Sequence, residues 1–178
     1  MARTWLSIRV EPVSGRGEDH WPRPGRILAA ARSHTFEQLG TAIDLAFARW
    51  DLAHLRLFTL ADQTPVCSFR TWEDMPDDAV DSDRTTLSRL TPGDQFAYTF
   101  DMGDDWTHLC TVADHRINPL DELGLVAAQP TPYQGWGDLP DQYGRRWNGD
   151  DESPAPRPPR NPLADLPPIL PWWGPRER

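Results

Sequence analysis

One stretch of the chain repeats apolar residues at the spacing of an α-helix, whereas most other patterned segments alternate as strands do. The helical stretch runs from about Phe36 to Trp50, and its apolar side carries Phe36, Leu39, Ile43, Phe47 and Trp50. Thr35 and Gln38 form the capping-box pattern that starts a helix. One amphipathic helix among strands predicts an α+β domain in which the helix crosses one face of a sheet.

Six segments have the composition or alternation of β-strands. They are residues 4–10, 26–31, 55–60, 65–69, 95–101 and 106–113. The chain order of two strands, helix, two strands and a further hairpin favours a mixed or antiparallel sheet with one long helix on one face. It also suggests a β-grasp-like core with an added hairpin. We expect the helix to pack on Leu6, Ile8, Leu57 and Phe96 or their neighbours.

Proline marks the end of the globular part of the chain. Seven of the 19 prolines precede residue 130, and the other 12 lie from Pro130 onward. Because proline fixes φ and has no N–H, the run that begins at Ser153 predicts an extended linker. We therefore divide the chain into an α+β domain, residues 1–152, and a proline-rich C-terminal tail, residues 153–178. The tail is either disordered or a clasp that lays Ile169, Leu170, Trp172 and Trp173 on an apolar groove of the domain or of a partner.

The charge and the cysteines of the chain limit its partners and its location. A net charge of -9 over 178 residues disfavours nucleic acid, whose binding needs a basic face. No stretch approaches the length of about 18 apolar residues that a membrane span needs, so no membrane partner is expected. Cys67 and Cys110 lie far apart without a C-x-x-C motif, which predicts reduced thiols and a cytoplasmic location.

Three carboxylates crowd the predicted turn between the last two strands. They belong to Asp101, Asp104 and Asp105, and His108 follows on the next strand. An all-oxygen cluster suits Mg²⁺ or Ca²⁺, and His108 would shift the preference toward Mn²⁺ or Zn²⁺. The sequence thus leaves the cofactor unknown, with a divalent metal as the candidate. Aspartate and glycine are also the residues that tight turns use, and His108 shares a strand face with apolar neighbours, so a purely structural role is the alternative.

A second candidate site is an aromatic stretch near the end of the domain. Trp136, Asp141 and Tyr143 lie there beside Arg145 and Arg146, an interleaving typical of surfaces that bind bases or peptides. A loop that packs its aromatic rings onto the domain would have the same composition. We add His54 and Trp106 to this candidate binding set. His54 would form a functional pair with His108 if the two histidines met in space.

Two segments resemble a known family. Residues 98–108, Tyr-Thr-Phe-Asp-Met-Gly-Asp-Asp-Trp-Thr-His, are similar to the Y-x-Y-D-F-G-D-x-W-x-H signature of the plasmid pRi ORF-3-like family. Its members are also labelled insertion-sequence passenger TnpR-family proteins. Residues 50–58, Trp-Asp-Leu-Ala-His-Leu-Arg-Leu-Phe, resemble the family's W-x-x-x-H-L-x-x-F segment. The resemblance covers roughly residues 4–147 and implies an α+β domain found in bacteria and on mobile elements, with no established reaction.

The chain departs from the family pattern after the second motif. Many members carry a cysteine-bearing, acidic Pro-Pro-Glu-Asp segment where this chain has residues 135–147, which contain no cysteine. A metal role suggested by those cysteines therefore does not transfer here. The chain also lacks the catalytic arrangement of a serine recombinase, so the TnpR label alone does not indicate recombination.

Three functions are compatible with these features. The lack of a G-x-S-x-G motif or phosphate loop, together with the aromatic C-terminal third, favours a non-enzymatic module that binds a protein or a small molecule. The second function is a metal-dependent enzyme centred on the aspartates and His108, with phosphoesters as its candidate substrates. The third, suggested only by the TnpR label, is a DNA-associated accessory protein of a transposable element that contacts DNA near Arg145 and Arg146.

Overall fold

One sheet and two short helices make up the part of the chain that the structure describes. A computed structural model describes residues 4–124 and 126–144. The strands are β1 (Trp5–Gly15), β2 (Glu18–Asp19), β3 (Gly25–Ala31), β4 (Arg56–Thr59), β5 (Pro65–Cys67), β6 (Val80–Asp81), β7 (Gln95–Phe100), β8 (Trp106–Ile117) and β9 (Thr131–Trp136). The helices are α1 (Phe36–Ala46) and α2 (Pro119–Leu123), and a 3-10 turn covers Leu87–Arg89. The fold is therefore α+β.

The sheet is mixed and mostly antiparallel, as the sequence predicts. Its strand order is β6-β5-β4-β7-β8-β1-β3-β9, and β2 pairs with the end of β1. Among the described strands, β5 and β6 pair in parallel and the other pairs are antiparallel. This strand order does not establish the suggested β-grasp-like core, which stays a prediction.

The centre of the sheet follows from alternating burial along its long strands. In β1, Ile8 and Val10 are fully buried, whereas Arg9 between them is exposed. Val10 lies opposite Cys110 of β8, and Cys110 lies opposite Phe96 of β7. Because strand side chains alternate between faces, these residues line a single face. That face shares one apolar core with α1.

Helix α1 begins where predicted and ends earlier than predicted. The Thr35 hydroxyl accepts the Gln38 amide, and the Gln38 side chain accepts the Thr35 amide, which completes the capping box. Phe47 is the C-cap, and Ala48 has φ of 55°, a left-handed conformation that interrupts the helical path. Trp50 is consequently 48% exposed. The prediction that Trp50 completes the helix and its buried side is wrong.

The partners of α1 on the sheet are the predicted residues or, on β4, the neighbour of the predicted residue. Leu6, Ile8 and Phe96 belong to the core shared with the helix. Leu57 is only partly buried, and its neighbour Phe58 fills the core instead. Since successive strand residues point to opposite faces, Phe58 rather than Leu57 is the residue of β4 that faces the helix.

A buried polar network ties α1 to two strands. Arg56 of β4 donates from Nε to Asp44 Oδ2 at 2.7 Å, and the Tyr98 hydroxyl of β7 donates to Asp44 Oδ1 at 2.6 Å. Arg56 also donates to Glu37 on the first turn of the helix. Burial raises the pKa of Asp44 to about 6, against the opposing effects of Arg56 and Tyr98.

A smaller apolar cluster covers the opposite face at one end of the sheet. It contains Trp5 and Ile117, with Leu123 of α2 packed against it. The Asn118 side chain caps α2, and Gly124 ends the helix with φ of 65°. The sequence analysis did not predict α2, because five residues are too few to show a helical period.

Several predictions concern residues outside those that the structure describes. These are the domain boundary at residue 152, the two interpretations of the tail at 153–178, and the predicted contacts of Arg145 and Arg146. In the described part, neither helix has the length and apolar character that crossing a membrane requires. Cys67 and Cys110 are both buried free thiols.

Candidate functional site

Four polar side chains meet at one end of the sheet. Asp51 and His54 follow α1, Asp101 follows β7, and Tyr143 lies beyond β9. His54 Nε2 is 2.7 Å from the Tyr143 hydroxyl oxygen, and His54 Nδ1 is 3.3 Å from Asp101 Oδ2. We call Asp51, His54, Asp101 and Tyr143 the histidine cluster.

The Tyr143 hydroxyl determines how protons are distributed in the cluster. It donates to Asp51 Oδ2 at 2.9 Å. Since tyrosine has one hydroxyl hydrogen, His54 Nε2 supplies the proton in its own bond to that oxygen. The bond from Tyr143 lowers the pKa of Asp51, and the Ala53 amide contributes next. Desolvation, followed by the bond to Asp51, raises the pKa of Tyr143. At neutral pH the cluster therefore combines a carboxylate, an intact hydroxyl and an imidazole N–H.

Asp101 reaches the cluster because of the turn that starts there. Its φ is 60°, and its Oδ1 accepts the amides of Gly103 at 2.9 Å and Asp104 at 3.3 Å. Its own amide donates to the Leu55 carbonyl at 2.9 Å, which joins this turn to the loop that carries His54. The turn uses one carboxylate oxygen and leaves Oδ2 beside the imidazole.

Gln142 anchors the C-terminal segment to the loop after α1. Its fully buried side chain accepts the amides of Trp50 at 3.0 Å and Asp51 at 3.1 Å and donates to the Asp51 carbonyl at 2.9 Å. These three bonds fix the backbone of Asp51 and bring Tyr143, the next residue in the chain, to His54. The sequence analysis missed Gln142, since a lone glutamine in a loop has no diagnostic spacing.

The cluster is partly exposed, and its surroundings are acidic and apolar. The exposed fractions of the His54, Asp51 and Asp101 side chains are 26%, 37% and 11%. The ring of Trp50 packs edge-on against that of Tyr143, with 5.1 Å between centroids. Exposed large apolar side chains of the same loops are Trp50, Leu52 and Met102. This end of the sheet therefore offers negative charge, hydrogen-bonding groups and apolar area together.

A second polar group lies in the core beneath the same end of the sheet. His108 Nδ1 is 3.1 Å from the Tyr98 carbonyl, so Nδ1 carries the hydrogen and Nε2 is an acceptor. That acceptor faces Arg49 Nη2 at 3.5 Å. Burial, followed by the charge of Arg49, lowers the pKa of His108 to about 3. Burial lowers the pKa of Arg49 to about 10, so this guanidinium is still cationic at neutral pH.

The two histidines do not form the pair that the sequence analysis considered. The ring of Phe100 contacts His54 with 5.6 Å between centroids, and the Arg49 guanidinium carbon lies 6.0 Å from the same ring. His108 instead contacts the ring of Phe47 at 5.1 Å. Among the described residues, His54 belongs to the accessible cluster and His108 belongs to the core.

The structure does not assemble the four predicted metal ligands. His108 points into the core, Asp101 faces His54, and the Asp105 carboxylate accepts the Thr107 hydroxyl at 3.0 Å. The Asp104 amide donates to Asp101 within the turn. Within residues 4–124 and 126–144, no group of three or more His, Cys, Asp or Glu side chains is arranged to hold a metal ion.

Two of the predicted binding residues lie outside the histidine cluster. Trp106 is 1% exposed and belongs to the core. The Trp136 indole donates to the Arg23 carbonyl at 3.1 Å, and Arg9 lies 4.5 Å above its ring. Trp136 therefore packs on the β3–β9 edge, away from the histidine cluster.

The other described residues of the predicted binding set either belong to the histidine cluster or support it. His54 and Tyr143 contact each other, as described above. Asp141 Oδ2 accepts the Tyr143 amide at 3.0 Å and so shapes the turn that presents the tyrosine. Asp51 was not among the predicted residues, because a separation of three residues on a loop does not indicate that its side chain meets that of His54.

A known structure shares this fold, and a family model matches the part of the chain that contains both motifs. The chain is similar in structure to a protein of unknown function, MM3350 from Methanosarcina mazei Go1, with a TM-score of 0.58 and 17% sequence identity over 76% of this chain and 70% of that chain. At that identity the likeness concerns the fold alone. No curated protein matches the chain significantly. The family model described as plasmid pRiA4b ORF-3-like protein matches residues 21–134, which contain both motifs and three residues of the histidine cluster. On this match, the chain belongs to the plasmid pRiA4b ORF-3-like protein family.

Proposed function

We propose that the protein is a non-enzymatic binding module that recognises a protein partner through the histidine cluster. The observation that supports this most is the convergence of Asp51, His54, Asp101 and Tyr143 on one partly exposed surface, with contacts of 2.7 to 3.4 Å. The residues come from three separate loops. Such an arrangement presents a fixed pattern of polar groups to a partner.

Binding is favoured over proton transfer because both ring nitrogens of His54 face other residues of the cluster. Nε2 of His54 donates to Tyr143, and Nδ1 faces Asp101 at 3.3 Å. A general base must reach a substrate proton, directly or through one water. Nε2 and Nδ1 of His54 instead face Tyr143 and Asp101, contacts that suit a residue that keeps a recognition surface in shape.

The charge of this surface indicates the chemistry of the partner. Asp51 and Asp101 are both in the cluster, and the Asp104 carboxylate is near enough to contribute to the raised pKa of Tyr143. Trp50 and Met102 add exposed apolar area beside these carboxylates. Complementary charge directs association and selects partners. We therefore expect a protein segment that combines arginine or lysine with apolar residues.

A random peptide library displayed on phage and selected on the immobilised full chain tests this function. We expect enriched peptides that carry basic and apolar residues together. Asp51→Asn/Asp101→Asn should weaken their binding about tenfold, equivalent to about 1.4 kcal/mol. Asparagine keeps the acceptor oxygen that each turn uses, so the fold should survive the change.

The matched control is Asp114→Asn/Asp78→Asn, which removes the same two charges from exposed side chains, one of them 97% exposed on β8. It should leave peptide binding unchanged. Equal loss in both variants would show that net charge rather than the cluster drives binding. A selection that enriches no peptide, or only peptides indifferent to Asp51 and Asp101, would contradict the proposed function.

A further inference from the structure

Arg49 is a buried cation without a carboxylate partner among the described residues. Only 3% of its surface is exposed, and no described Asp or Glu oxygen lies within 4.0 Å of its guanidinium nitrogens. Within residues 4–124 and 126–144, its Nε and Nη1 have no hydrogen-bond partner, and its Nη2 faces the neutral ring of His108. Burying an ion is costly unless it is paired, so this guanidinium has unused capacity to bind an anion.

Arg49 packs on the indole ring of Trp106, and two more nitrogens without a described partner belong to that indole and to the His20 ring beside it. The guanidinium carbon lies 3.9 Å from the centroid of the Trp106 ring, and the His20 ring stacks on Trp106 at 5.6 Å with 2° between the planes. Trp106 Nε1 and His20 Nε2 are buried and have no hydrogen-bond partner in the described part of the chain. Burial, and then the charge of Arg49, lowers the pKa of His20, which agrees with their proximity.

We propose that Arg49, Trp106 and His20 form a binding site for an oxyanion, such as a carboxylate or a phosphate. Arginine and the indole N–H supply only hydrogen-bond donors, so a neutral ligand would leave the charge unpaired. The planar guanidinium fork matches two oxygens of one anionic group. His108 positions this fork through Nε2 without adding charge, because its ring is neutral. The site is separate from the histidine cluster and does not depend on the proposed partner.

The β1–β2 hairpin and the loop after it cover this site. A Cβ at Gly15 would lie 2.2 Å from the Trp106 ring, so glycine is what allows the hairpin backbone to lie on the indole. Each unpaired nitrogen exposes less than 1 Å². Entry of an anion therefore requires movement of residues 16–24, which comprise β2 and the loop that carries His20 and the 85% exposed Trp21.

Two sources supply the same oxyanion chemistry. One is a small anion from solution. The other is a carboxylate of this chain, and the nearest acidic run after the described residues is Asp150, Asp151 and Glu152, which begins six positions after Gly144. The experiment below has one arm for each source.

The test follows the Trp106 indole N–H in ¹H–¹⁵N spectra of the full chain during titration with sodium phosphate and, separately, sodium acetate at constant ionic strength. A saturable shift of this resonance is expected, since its nitrogen gains an acceptor. Arg49→Lys should weaken the apparent affinity about tenfold, because lysine lacks the bidentate fork. Arg84→Gln is the control, as this arginine is 89% exposed and distant in sequence from the site. It should have no effect.

The second arm titrates the variant Asp150→Asn/Asp151→Asn/Glu152→Gln. If a carboxylate of this run occupies the site, the Trp106 resonance moves before any anion is added, and phosphate then binds more tightly. If the source is a free anion, the wild type and this variant titrate alike. His20→Phe keeps the stacking and removes the nitrogen, so it replaces Arg49→Lys if that variant does not fold. The absence of a saturable shift up to about 50 mM of either anion, in both the wild type and the triple variant, would overturn the proposal.

Discussion

At the scale of single residues, buried histidine makes stability depend on pH. His108 is 1% exposed, and its pKa is lowered to about 3, first by burial and then by Arg49. The unfolded chain takes up this proton near pH 6.5, whereas the folded chain does not. The stabilising contribution is therefore complete above pH 6.5 and is lost progressively as the pH falls from 6.5 toward 3.

We predict that His108→Gln reduces the acid sensitivity of the fold. Between pH 6.5 and 5, the wild type should lose about 2 kcal/mol more unfolding free energy than the variant, at about 1.4 kcal/mol per pH unit. Urea denaturation at the two pH values measures the difference. Titrating carboxylates and His20 are common to both proteins and cancel in the comparison. Parallel losses in the two proteins would show that His108 is not buried as a neutral ring.

At the scale of the elements, the end of α1 distinguishes two aromatic residues that the sequence treats alike. Phe47 is 1% exposed, whereas Trp50 is 48% exposed and packs on Tyr143. Phe47→Ala should lower the unfolding free energy by about 3–5 kcal/mol, and Trp50→Ala by about 1 kcal/mol. Urea midpoints of the two variants provide the measurement. Equal costs would mean that the helix continues to Trp50.

Gln142 permits a second prediction about how elements are joined. Gln142→Ala removes the partners of two amides and one carbonyl at Trp50 and Asp51, so it should cost about 1–3 kcal/mol. Hydrogen exchange at those two amides should become faster. Gln134→Ala, at an exposed position of β9, is the matched control and should cost less than about 0.5 kcal/mol. Unchanged exchange at Asp51 would show that the C-terminal segment is held by other contacts.

The elements that the sequence predicted are those with enough residues to show a period. The start of α1 and the central strands β1, β7 and β8 have clear patterns, and the structure contains them. The end of α1 was misplaced because Trp50 keeps the helical spacing after Ala48 has left the helix. Strands β2 and β6 have two residues each, and their existence depends on pairing with distant segments rather than on their own sequence.

At the scale of the whole molecule, the histidine cluster is a product of topology. His54, Asp101 and Tyr143 were each recognised in separate segments, but their meeting depends on the neighbouring positions of β4, β7 and the segment after β9. Nothing in the spacing of residues 54, 101 and 143 encodes that distance. Arg49 was overlooked for a related reason, because an arginine at the end of a helix is usually solvated, and only the packing of Trp106 and Phe100 places it in the core.

The most direct test of the proposed function is a chemical-shift map of the full chain with the tightest peptide from the phage selection. We predict that the largest ¹H–¹⁵N changes fall on residues 50–55, 101–105 and 141–144, the three loops that form the histidine cluster, and that Asp51→Asn/Asp101→Asn reduces them. The face of the sheet that points away from α1 carries a groove lined by Tyr133, His115 and Ile27. Largest changes at that groove, or changes unaffected by the two substitutions, would contradict the account.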